Sequence, residues 1–130
     1  MVYVADRQKG GLLATALLAS LVTACQRPNA VDHDEHKAEF AMASYHVCMI
    51  NQAEALVANR RDLAGPEIGG IIADAEQACA DDFEKSRRHL IGLNGEGAGE
   101  RLASNFKRAI RSDTRKAIHE LTARNAKASM

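Results

Sequence analysis

The chain has 130 residues, 17 Lys and Arg against 17 Asp and Glu, three cysteines and no tryptophan. One domain is the expectation at this length, which argues against a two-domain enzyme with a cofactor-sized cleft. Zero net charge argues against a dedicated nucleic-acid binder, and the 46% hydrophobic content overstates the core because much of it is alanine and much lies before residue 25.

The first element is an address. Arg7 and Lys9 precede a run of small and apolar residues from Gly10 to Ala24. Such a run spans only about 22 Å as a helix, short of the roughly 20 apolar residues a membrane span needs, and reads as an export signal. It ends in Val22-Thr23-Ala24-Cys25. These residues resemble the lipobox of a bacterial lipoprotein precursor. The resemblance implies a signal peptide over 1–24, cleavage behind Ala24 and acylation (palmitate among the chains) of Cys25 as the new N-terminus. Two or three acyl chains would give stable anchoring where one alone is marginal. Gln26, standing where Asp would retain an enteric lipoprotein in the inner membrane, implies the periplasmic side of the outer membrane. Residues 25–31 would form a short tether.

The first helix of the body is expected over about 32–62, opened by Asp32 with Glu35 three residues on as a capping-box partner. Met42, Tyr45, Met49, Leu56 and Leu63 give a loose inward stripe, with Cys48 at its edge. At its start Asp32, His33 and His36 are potential metal ligands, since i,i+3 and i,i+4 pairs can share Zn²⁺, Cu²⁺ or Ni²⁺. The plainer alternative is that the carboxylates complement the helix dipole and the histidines are incidental.

Leu63-Ala64-Gly65-Pro66 breaks the pattern, and a second helix is expected over about 66–91. Its stripe is Ile68, Ile72, Ala75, Cys79, Phe83, Ser86 and Leu90. With Cys25 assigned to lipid, two cysteines remain for an oxidising compartment. Cys48 and Cys79 lie almost equally far from the break, so an antiparallel hairpin places them at the same height and predicts a disulfide. A redox pair or a Cys-His nucleophile using His46 lacks the local spacing such sites use.

Four glycines between Gly92 and Gly99 read as a flexible linker. No strand precedes them and no phosphate-loop lysine follows, so they do not read as a nucleotide site. A third helix is expected over about 100–127, with Leu102, Phe106, Ala109, Ile110, Ala117 and Leu121 on one side and Arg101, Arg108, Arg111 and Arg115 on the other, Lys107 alongside. The charge is segregated: six basic residues against twelve acidic in 31–90, eight against four in 91–130. Either the arginines are merely solvated, or they face anionic headgroups or an acidic envelope protein.

The expected fold is all-α: a disulfide-stapled antiparallel helical hairpin plus a third amphipathic helix in a single domain over 32–130, after an N-terminal signal helix. No nucleophile elbow, zinc-protease helix or kinase motif occurs, so no enzyme activity, cofactor, nucleic acid or small-molecule substrate is expected. The functional expectation is a lipid-anchored envelope lipoprotein acting as a structural or interaction module. The alternative is a periplasmic metal binder using His33 and His36.

Overall fold

The computed structural model describes residues 30–130, with side chains from His33 onward. The export signal, the lipobox with Cys25, the tether up to residue 29 and the side chain of Asp32 lie outside the described residues. Four helices follow in order: α1 (Ala30–Val57), α2 (Gly65–Ala78), α3 (Ala80–Asn94) and α4 (Glu96–Ala128). Among the described residues there is no strand.

Helices α2 and α3 together form the second arm of the expected hairpin, broken only at Cys79, whose φ of −103° and ψ of 15° leave the helical region. The hydrogen bonds still cross the break. Cys79 N–H donates to the Ala75 carbonyl at 3.0 Å, and Phe83 N–H donates to the Cys79 carbonyl at 3.1 Å. Cys79 is bonded to Cys48 with the Cα atoms 6.0 Å apart, so the arms meet at the height their counting implies. The distortion falls at the residue that must reach across to α1.

The first helix is shorter than expected at its C-terminus, ending at Val57 rather than Asp62. A side chain from the far end of the chain caps the shortened end. Asn125 Nδ2 lies 3.1 Å from the Val57 carbonyl, 3.4 Å from that of Ala58 and 2.8 Å from that of Arg60, supplying the donor that the helix end lacks. The chain then turns, Leu63 packs against the core, and α2 opens with Pro66 in its first turn. The Glu67 carboxylate accepts the Ala64 N–H at 2.9 Å, which ties the entry of the helix. At the other end α1 begins at Ala30, so Asp32 stands inside the helix and does not cap it.

The core lies between one stripe from each arm and α4. Tyr45, Met49, Ala53 and Val57, at every fourth residue of α1, meet Ile68, Ile71, Ile72, Ala75 and Cys79 of the second arm and Ile110 and Ile118 of α4. The Tyr45 ring packs between Phe83, at 5.3 Å between centroids, and Phe106, at 5.8 Å. Two expected stripes are rotated. Leu56, Leu102 and Ala109 are exposed, whereas Ala38, Ala41, Ala103 and Thr114 are buried. Thr114 passes as apolar because its hydroxyl donates to the Ile110 carbonyl at 2.8 Å and is spent within its own helix.

The largest departure concerns residues 92–99, which form no linker. Helix α3 runs through Gly92 to Asn94 and α4 starts at Glu96, leaving Gly95 as a one-residue turn. Its φ of 80° and ψ of 165° are open essentially to glycine alone. Gly99 then sits against α3 so closely that a Cβ there would lie 2.7 Å from the Ile91 nitrogen and 2.8 Å from the Leu90 carbonyl oxygen. The glycines permit contact here instead of conferring freedom.

Candidate functional site

Helix α4 runs for 33 residues, with Glu96 in its first turn and Lys127 in its last, each complementing the dipole. Its buried side is Gly99, Ala103, Ile110, Thr114 and Ile118. Opposite them Arg101, Arg108 and Arg115 stand two helical turns apart and exposed. They form a straight row about 21 Å long at 1.5 Å rise per residue. Lys116 and His119 continue the same exposed side.

Two of the helix's own carboxylates have partners on other helices. Glu100 is bonded to Arg87 of α3, and Asp113 Oδ2 lies 3.9 Å from His46 Nε2 of α1. Arg87 also holds Glu84, with Nε to Oε2 at 2.9 Å. This hydrogen bond, against a small opposing effect of burial, keeps the Glu84 carboxyl below the usual carboxylate range. Among the described residues, Arg108 alone of the row has a side-chain partner, donating from Nη2 to Asn105 Oδ1 at 3.4 Å. Arg101 and Arg108 edge a shallow depression with Glu100, Ser104 and Asn105 between them.

Two expected members of the basic face belong elsewhere. Arg111 Nε lies 3.0 Å from Oε1 of Glu76 on α2, close enough for an ion pair though not aligned as a hydrogen bond. Lys107 Nζ sits 4.9 Å above the Phe83 ring, a cation–π contact on the flank of the bundle. Neither contact is legible in the sequence, because both join residues distant along the chain.

Beneath Arg111 and Glu76 lies Tyr45, whose ring is fully buried and whose hydroxyl has no hydrogen-bond partner among the described residues. Burial, reinforced by the Glu76 charge and partly countered by Arg111, pushes its phenol up to about 12. The sequence marks Tyr45 only as core, and the hydroxyl's isolation depends on the whole assembly.

Of the three expected metal ligands, His33 and His36 have described side chains. His33 and His36 are both exposed, and His36 Nδ1 lies 3.6 Å from Glu39 Oε2. Among the described residues no group of three or more His, Cys, Asp or Glu is disposed to hold a metal ion. Both histidines instead line a groove of about 630 Å³ between α1 and α3, with Lys37, Phe40, Lys85 and His89. Phe40, Lys85 and His89 were not expected to share a surface with them; only the packing of α3 on α1 brings these residues together. Among the described residues no helix is long and apolar enough to cross a membrane. Compared with protein-family models, with curated proteins and with solved structures, the chain matches none.

Proposed function

We propose that this chain is a lipid-anchored module of the cell envelope, tethered through Cys25, that binds an acidic helical partner protein along the outer face of α4. The observation that carries the reading is the row of Arg101, Arg108 and Arg115, exposed at intervals of two turns, while Glu100 of the same helix is paired with Arg87 of α3. Cations at this interval match carboxylates repeated every seven residues along a partner helix, the pairing that flanks a coiled-coil seam. A bilayer is the weaker match. An interfacial helix buries its apolar face in the lipid, and the apolar face of α4 is already committed to the core. The role is scaffolding or recruitment and involves no catalysis.

The test is crosslinking of the full chain in its native envelope, followed by co-purification. Reversal of Arg101, Arg108 and Arg115 to Glu should abolish the adduct with no loss of thermal stability, whereas their replacement by Lys should retain most of it. An adduct that survives the triple reversal overturns the reading. So does binding to anionic vesicles that the reversal abolishes when no protein adduct forms. The tether is tested separately: Cys25→Ser should remove acyl labelling and release the protein from membranes.

A further inference from the structure

The outer face of α1 is covered by no other helix of the described residues, yet it carries two large apolar side chains. Phe40 is 69% exposed and Val47 is 59% exposed. They lie on one line of the helix, with Ala43 and Ser44 leaving a hollow between them that extends toward Cys48 and Asn51. The line continues in both directions. Lys37, Phe40, Ser44, Val47, Asn51 and Glu54 follow at alternating steps of three and four, the spacing of a coiled-coil seam. All six reach solvent.

We propose that a second copy of this chain docks on this face, its α1 antiparallel to the first. Charge complementarity selects both the occupant and the direction. In an antiparallel pair whose two-fold axis passes between Tyr45 and His46, Ser44 faces Val47 of the second copy, Phe40 faces Asn51, and Lys37 faces Glu54. All three pairings follow from the one axis. Lys37 and Glu54 are the only ionic residues among the six, and the antiparallel arrangement opposes them. A parallel pair would set lysine against lysine and glutamate against glutamate. Lys37 Nζ now lies 3.3 Å from Asp34 Oδ1, but that pair is half-exposed on both sides and readily exchanged.

The groove beside Phe40 fits the same occupant. Its lining holds Lys37, Lys85 and three imidazoles and no carboxylate. In the antiparallel pair it receives Glu54 of the second copy and the last turn of that helix, whose carbonyl end is the negative end of its dipole. The apolar hollow and the cationic groove, which share Phe40, thus form one continuous surface. This pairing uses α1 and leaves the arginine row of α4 free, so it stands or falls independently of the acidic-partner reading.

Sedimentation velocity of the full chain in detergent should show a concentration-dependent dimer, retained in Cys25→Ser. Phe40→Asp should weaken it about tenfold or more, and Phe40→Ala in the same direction. Neither should change the melting temperature at dilutions where the unaltered chain is monomeric, since the side chain is exposed in the monomer. Lys37→Glu and Glu54→Lys should each weaken the dimer about threefold, and the two combined should restore it. A chain that stays monomeric at millimolar concentration overturns the proposal. So does a dimer lost in Cys25→Ser, a dimer indifferent to Phe40, or a double exchange that fails to recover the affinity of the unaltered chain.

Discussion

The glycines between α3 and α4 differ in what they do, and alanine at each should show it. At Gly99 a methyl group would overlap the Ile91 Cα and lie 2.7 Å from the Ile91 nitrogen and 2.8 Å from the Leu90 oxygen, so the backbones of the two helices must move apart where α4 begins to pack. Overpacking against backbone atoms falls in the upper part of the usual range, about 2–3 kcal/mol, and the better helix propensity of alanine returns about 1. The expected net loss for Gly99→Ala is about 1–2 kcal/mol, or roughly 4–16 °C in melting temperature for a domain of this size. Gly95→Ala forces a side chain onto a φ of 80° and should cost a similar amount, for a different reason. Gly92 and Gly97 are helical, with nothing but the flexible Arg101 tip near a new methyl group. Alanine there should stabilise by about 0.5–1 kcal/mol. Urea titrations followed by far-ultraviolet circular dichroism measure all four on one scale, with an unchanged slope confirming that only stability has moved. If the four substitutions shift stability alike, or if Gly99→Ala stabilises, the close approach of α3 and α4 is wrong.

Breaking the Cys48–Cys79 bond by replacing both residues with alanine should cost about 3–4 kcal/mol from the entropy of its loop, measured as the shift in urea midpoint. Tyr45→Phe removes a buried hydroxyl without a partner and should raise stability near neutral pH by about 1 kcal/mol. Because the folded phenol is raised to about 12 while an unfolded one ionises near 10, the native chain favours the neutral form. Its contribution is whole below about pH 10 and falls away as pH rises toward about 12. The Phe variant should lack this alkaline loss; denaturation across that range tests it, and equal slopes for the two proteins refute it. Asn125→Leu strips the donor from the end of α1 and should cost about 1–2 kcal/mol, with amide exchange accelerated at the last turn of that helix.

What sequence reasoning recovers here depends on how local each cause is. The staple is legible because Cys48 and Cys79 flank the Leu63-Ala64-Gly65-Pro66 break almost symmetrically, and a hairpin converts that symmetry into contact. The inward line of the second arm is legible because Ile68, Ile72, Ala75 and Cys79 keep helical spacing. The glycine run misleads because one composition serves two opposite ends, a loose tether or a tight crossing, and only the neighbours decide between them. The basic face shrinks for a similar reason. Arg111 differs from Arg108 only in having Glu76 within reach, and that reach is set by how α2 and α4 pack. Likewise, no pattern in the chain marks Asn125 as the cap of a helix that ended 68 residues earlier.

The exposed turn after α1 has a consequence for how the protein meets proteases. Arg60 and Arg61 stand exposed in the 58–64 connection, a natural place for a trypsin-like enzyme to cut. That connection lies inside the ring closed by Cys48 and Cys79. A single nick there severs the backbone and frees no fragment: the piece bearing α1 stays covalently joined to the piece bearing α2, α3 and α4. Such a molecule would run as one species until reduced and as two afterwards, and its arginine row would stay joined to α1.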